Sequence, residues 1–338
     1  MGASTVQLAD PTGSFKQMLT VDLHYPNTGQ ISYLAVLIRH RNFFLRYGVY
    51  IRDRASQPFD TVNANIFVVH QDLLTQNLLD GRQPVILAER LDSCTLSTRE
   101  HAEHPNLKQI WKIATTHPIE IQNEVKGRYH AYLLDGNRSV PKQLSAEALQ
   151  KLHPAPGYHS YAVLDDLSSE VDLSEPRPIS AQFRGTVQYG SPTSREHVLI
   201  SEHRQKAMGL TSTYPGGVAS EKALGRADYF AELRRTKAVV SPWGFGELCY
   251  RDFEAMLAGA VLVKPNSKHV VSWPYIFGDN QYVACKPDLS DLVEKIRHVE
   301  QNWDQFAEMR RVNREMLLNY RHGNNIADHF SRLLKNAS

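Results

Sequence analysis

The sequence predicts an α/β protein of two domains, each a parallel sheet with helices on both faces, and three observations carry that reading. Short apolar runs alternate with helix-compatible segments along most of the chain, the pattern of a sheet covered on both sides. At 338 residues the chain is long enough for two domains of ordinary size. Late in the chain, Lys237–Ser241, a Gly-rich turn, a helical segment closed by Gly259 and the run Val261–Val263 form one strand–turn–helix–strand unit.

Taken in order, Met18–Leu23 reads as the first strand, and a turn-rich loop, His24 to Gln30, leads into a helix over Ile31–Arg46. Strands follow at Val49–Arg52, Asn63–His70 and Pro84–Glu89, with a helix over Asp72–Leu79 closed by Asp80-Gly81. Leu107–Thr115 reads as helix and Tyr129–Leu134 as strand. Ser139–Pro178 is weakly patterned, and its Leu173–Pro178 end suits an exposed linker, so residues 1–175 form the first domain. The second, residues 176–320, opens with a strand over Ile179–Val187 and continues with helices over Ser194–Gly209 and Asp228–Arg235. After the strand–turn–helix–strand unit come a strand at Gln281–Cys285 and helices over Asp288–Asn302 and Trp303–Tyr320, with 321–338 as a closing helix.

Composition narrows the function. Hydrophobic residues make up 42% and charged residues 22%, as in a globular protein with real cores. A net charge of +2 with no polybasic tail argues against nucleic acid as a partner. Three scattered cysteines form no disulfide framework, and Met1–Ser14 has no apolar leader, so the expected location is cytoplasmic. The 15 histidines show no ligand spacing with carboxylates, so no metal and no cofactor is expected.

The most informative stretch is Ser241-Pro242-Trp243-Gly244-Phe245-Gly246-Glu247 with Arg251, Asp252, Glu254, Ala255, Gly259, Lys264 and Pro265. A helix beginning at such a turn offers free N–H groups and a positive dipole end to a phosphate. On a helix starting near Gly246, Glu247, Arg251 and Glu254 share one face, and Glu254 is placed to accept both hydroxyls of a ribose. A plain surface ion pair between Glu247 and Arg251 fits the same spacing.

Over Lys237 to Asp291 this pattern resembles the nucleotide-sugar half of GT-B glycosyltransferases, those with two Rossmann-like domains facing across a cleft and C-terminal helices crossing back. It is most similar to bacterial group 1 and exostosin-like C-terminal domains that read S-P-[FW]-G-x-G-E-x-x-x-R-D-x-E-A-x-x-x-G-x-x-x-x-K-P. The resemblance implies that Glu254 binds ribose, that Arg251 and Lys264 serve the diphosphate or sugar, and that the turn Gly244, Phe245 and Gly246 joins the donor site. Many retaining members carry a Glu within that turn that contacts the donor sugar; here Trp243 stands there, and Glu247, on the other side of the turn, is the catalytic candidate to supply that carboxylate, which leaves the stereochemical outcome open.

Other candidates lie at the carboxyl ends of strands, where open α/β sheets bind ligands. Arg184 and Arg195 are candidates for donor phosphates, or are surface arginines. His24, His70, Glu89 and Asp92 follow strands of the first domain; His24, Glu89 and Asp92 are candidates for the base that deprotonates an acceptor hydroxyl, or are capping residues. His269 and Trp273 line the donor-sugar pocket, or pack against Pro274. Basic and aromatic residues between Tyr33 and Arg54 suit peripheral contact with an anionic membrane face, or form an ordinary half-buried helix.

The expected function is metal-independent transfer of a sugar from a nucleoside-diphosphate sugar to a glycan or lipid-linked acceptor, as in polysaccharide biosynthesis. An epimerase or hydrolase on the same scaffold, and an inactive binding scaffold, remain alternatives. A nicotinamide enzyme is disfavoured because no G-x-G-x-x-G follows the first strand.

Overall fold

A computed structural model describes residues 7–9, 15–26, 34–89, 93–125, 127–135, 143–155 and 171–338. After an antiparallel pair, β1 (Gln7–Ala9) and β2 (Phe15–Gln17), the first sheet is built from β3 (Leu19–His24), β4 (Val49–Asp53), β5 (Ile66–His70), β6 (Val85–Ala88) and β7 (Leu107–Lys112). The chain then leaves the sheet through β8 (Ala114–Thr116) and returns as β9 (Leu152–Pro154). The order is β4-β3-β5-β6-β7-β9, parallel throughout. The second sheet comprises β10 (Ile179–Arg184), β11 (Gly217–Ser220), β12 (Thr236–Val240), β13 (Val261–Pro265) and, after β14 (Val270–Ser272), β15 (Val283–Cys285). It runs β11-β10-β12-β13-β15, again all parallel.

These strands form because their apolar runs are buried on both faces: β5, β6 and β13 carry no exposed residue. In each sheet the strand order reverses beside the first-formed strand, at β3/β5 and β10/β12, and such switch points open a crevice beyond the carboxyl ends.

The two halves are joined by more than the connecting chain. Strand β14 pairs antiparallel with β8, Val270 opposite Thr116 and Ser272 opposite Ala114. The last helix, Gly323–Asn336, crosses back onto the first sheet, where Phe330 meets Trp111 edge-on at 5.3 Å and Gln109 Nε2 donates to the Leu333 carbonyl at 2.7 Å. One apolar core therefore runs from Val21 and Ile86 through Phe253 and Leu257 to Phe330. No helix among the described residues is long and apolar enough to cross a membrane.

Several local expectations are corrected. Leu107–Thr115 is strand, not helix: Leu107, Ile110 and Trp111 have helical spacing, but Gln109 and Lys112 are buried polar residues with dedicated partners. Tyr129–Asp135 is helix rather than strand. The expected Ile31–Arg46 helix is broken at His40 into Leu34–Arg39 and Arg41–Phe44, and a final turn ends at Gly48 with φ +71°. The helix expected from Gly246 begins only at Tyr250.

Candidate functional site

The β10/β12 switch point holds the site. Beyond β10 the chain turns at Gly185, whose φ of +147° favours glycine. Beyond β12, residues 241–249 form an extended loop before the Tyr250–Leu257 helix. That helix is fixed by Asp252, fully buried, which accepts the Cys249 N–H at 2.9 Å and the Ser241 hydroxyl at 2.6 Å. Lys264 Nζ lies 3.2 Å from the same carboxylate.

Between these segments lies a cleft of ≈ 320 Å³. Arg204, from the Arg195–Ser212 helix, and Arg251 both line it and converge over Gly185. A Cβ at Gly185 would stand 2.5 Å from Arg251 Nη2 and 3.1 Å from Arg204 Nη2. Arg204 is only 2% exposed; its Nε donates to the Thr186 carbonyl at 2.6 Å and its guanidinium lies 4.6 Å from the Tyr189 ring centre. Arg251 donates to the Arg184 carbonyl and lies 4.8 Å from the Phe183 ring centre. Among the described residues neither guanidinium makes an ion pair. Burial, and then the Arg251 charge, lower the pKa of Arg204. Two guanidiniums side by side, neither in an ion pair among the described residues, invite an anion with two or more charges.

Glu254 lines the same cleft and accepts a 2.8 Å hydrogen bond from the Tyr229 hydroxyl. Burial raises the pKa of Glu254, and burial followed by the Glu254 charge raises that of Tyr229 well above the ordinary phenol value. Gly244, Phe245 and Gly246 form the opposite wall, with Phe245 edge-on to Tyr189 at 4.7 Å and 37% exposed.

Of the residues expected in the donor site, Arg251, Glu254, Arg184, Gly244, Phe245 and Gly246 line the cleft. The Arg184 guanidinium, however, is already held by Glu232 through two bonds of 2.5 and 2.6 Å. Lys264 is a correction: it is fully buried beneath the cleft, paired with Asp252, because β13 is a central strand covered on both faces. Trp273 is another; it stacks on His329 at 4.7 Å and meets Tyr320 at 4.3 Å, so it anchors the closing helix. Arg195 is 65% exposed and pairs with Asp135 at 2.9 Å.

Glu247 lies on the loop, not the helix, and shares no face with Arg251. It points into the junction between the two halves, fully buried, accepts the Cys94 N–H at 2.9 Å and lies 3.0 Å from His130 Nδ1. Burial opposes its ionisation, but His130, His269 and the Cys94 N–H together outweigh that and hold the carboxyl far below its ordinary range.

The expected bases of the first half are committed elsewhere. Glu89 is fully buried; one oxygen accepts the N–H and hydroxyl groups of Ser97 and Thr98, and the other meets Lys112. Burial disfavours its charge, yet Lys112 and these donors hold its pKa low, so it is a weak base shut away from solvent. His24 is 1% exposed, its ring 4.0 Å from Phe59, and burial lowers its pKa to about 4 despite nearby Asp22. His70 caps the following turn by accepting from Asp72 N–H at 3.3 Å. Asp92 and the loop Asn27–Gln30 lie outside the described residues. Sequence reasoning missed Arg204, Tyr189 and Tyr229; the one available signal was Gly185 near the end of the predicted Ile179–Val187 strand, where the observed strand stops at Arg184.

No protein-family description matches the chain, and no curated protein does. Solved structures do. A glycosyltransferase from Rickettsia africae superposes with a TM-score of 0.53 at 9% identity, over 95% of this chain and 98% of that one. An α-glucosyltransferase in complex with UDP and a 13-mer DNA gives 0.48 at 10% identity over 95% and 99%. A UDP-N-acetylglucosamine 2-epimerase from Listeria monocytogenes, so described provisionally, gives 0.42 at 10% identity over 93% and 95%. The chain thus has the GT-B fold, two Rossmann-like halves with C-terminal helices crossing back. The presence of DNA in the α-glucosyltransferase complexes overturns the exclusion of nucleic acid drawn from near-neutral net charge.

Proposed function

We propose that this chain is a glycosyltransferase whose cleft binds the diphosphate of a nucleoside-diphosphate sugar between Arg204 and Arg251. The observation that carries the reading is the convergence over Gly185, at the switch point of the second sheet, of two guanidiniums with no ion-pair partner among the described residues. Glu254, oriented by Tyr229, accepts the ribose hydroxyls, and the Gly244–Gly246 wall lets the sugar approach the backbone closely.

In the reaction, the bond between the anomeric carbon and the diphosphate oxygen breaks and its electron pair leaves with the diphosphate. An acceptor hydroxyl oxygen forms the new bond and its proton passes to solvent, while the nucleoside diphosphate leaves as the anion. Arg204 and Arg251 stabilise the charge that grows on the departing diphosphate, so in this reading no divalent cation is required at that step. The acceptor, a hydroxyl of a glycan or lipid-linked sugar, approaches from the first half.

A thermal-shift screen with UDP, GDP, CMP, dTDP and ADP tests the reading. One of them should raise Tm in a concentration-dependent way, as linkage requires, and Arg251→Ala should remove the shift. If none stabilises the protein, the cleft is not a nucleotide site. Consumption of the sugar donor with no added acceptor would instead indicate an epimerase or hydrolase.

A further inference from the structure

At the junction of the two halves, three side chains from distant parts of the sequence meet. Cys94 follows β6 in the first half, Glu247 stands on the loop after β12, and His269 precedes β14. One donor atom from each lies within 4.8 Å of the other two. Cys94 Sγ is 3.3 Å from Glu247 Oε1, a separation that two ligands of one tetrahedral ion can have. His269 Nε2 is buried and has no hydrogen-bond partner.

A second observation comes from His130, which is fully buried. Its Nε2 lies 3.0 Å from the Gly244 carbonyl, which can only accept, so Nε2 carries the proton. Its other nitrogen, Nδ1, lies 3.0 Å from Glu247 Oε1, so the ring spans the Gly244 carbonyl and the carboxylate and fixes the carboxylate in place.

We propose that Cys94, Glu247 and His269 form a binding site for one thiophilic divalent ion of the zinc type, with His130 holding the carboxylate, and that this ion ties the two halves together. Thiolate, imidazole and carboxylate suit zinc or cobalt and not magnesium or calcium. Thiolate plus carboxylate neutralise a divalent charge, so the complex is neutral in a buried setting. On binding, the Cys94 thiol proton leaves to solvent and the S–M bond forms with no redox change. Pairwise sequence spacing could not show the site, because its ligands lie at positions 94, 247 and 269. The site lies behind the Gly244–Gly246 wall of the nucleotide cleft, and metal binding there does not depend on the proposed transferase reaction.

The test uses the full chain, purified without chelator or histidine tag. Elemental analysis should find about one zinc per chain. After stripping, titration with Co²⁺ should produce a thiolate-to-cobalt charge-transfer band. Cys94→Ser should abolish that band, His269→Ala should weaken Co²⁺ binding about tenfold or more, and Cys285→Ser should change neither. X-ray absorption on the wild-type zinc form should show sulfur together with nitrogen or oxygen, a readout that needs no variant to fold. Absence of uptake by the wild type, or a first shell without sulfur, overturns the proposal.

Discussion

The carboxyl ends of the two sheets have the same topology and opposite fates. In the first, Asp22, Glu89 and His24 are buried and committed: Asp22 to Arg52 at 2.5 and 2.8 Å, Glu89 to Lys112 and four further donors, His24 to the rings of Phe59 and Phe67. In the second, Arg204, Arg251 and Glu254 line open volume, and the two guanidiniums have no ion-pair partner among the described residues. A strand end in a Rossmann-like sheet is therefore a place for function only where the charge it carries is left unneutralised. Position alone does not distinguish the two cases.

The contrast can be broken most severely on the committed side. Glu89→Ala leaves Lys112 buried without its partner and should cost about 3–5 kcal/mol in urea unfolding; a loss under about 1 kcal/mol would show that the pair is not structural. Next comes acid sensitivity. His24 has a folded pKa of about 4 against an ordinary 6.5, so its neutral form is favoured by folding. That stability is fully present above pH 6.5 and is lost as pH falls through 6.5 towards 4, because the unfolded chain then binds the extra proton. The loss should be about 2 kcal/mol, less than the full shift implies because nearby charges and solvent screen the ring. His24→Gln should flatten that limb of the stability–pH curve, and an unchanged slope would assign it to other groups.

On the open side the effects should fall on binding instead. Arg251→Ala should weaken the stabilising nucleotide about 30-fold, or 2 kcal/mol, while the unliganded protein unfolds near the wild-type midpoint. Gly185→Ala should weaken binding as well, since its Cβ would stand 2.5 Å from Arg251 Nη2, and should also lower the unfolding midpoint because φ of +147° strains any residue with a side chain. For Arg251→Ala, equal losses of stability and binding would place the residue with the committed set. Smallest of all, Arg195→Ala should alter neither measurement, because its ion pair with Asp135 is exposed.

Much of the fold was legible in the sequence. Runs such as Ile66–His70, Val85–Ala88 and Val261–Pro265 are apolar because both sheet faces are covered, and that burial is a local property. Leu107–Lys112 escaped because Gln109 and Lys112 are buried polar residues whose partners, Leu333 and Glu89, lie far away in sequence. At the site, Arg251, Glu254 and the Gly244–Gly246 turn were legible from one contiguous motif. Glu247 was misplaced because Gly246 looks like a helix start, whereas Asp252 caps the helix at Cys249. Arg204 was invisible: it sits mid-helix, and only the tertiary fold brings it to Gly185.

The three-residue ladder between β8 and β14 bears on how the molecule could move. Main-chain hydrogen bonds there cross from one lobe to the other, and the returning terminal helix straps the same side. Any widening of the crevice must either rupture those rungs or pivot about them, so a swing of the lobes would have its axis fixed at Ala114–Thr116 and Val270–Ser272.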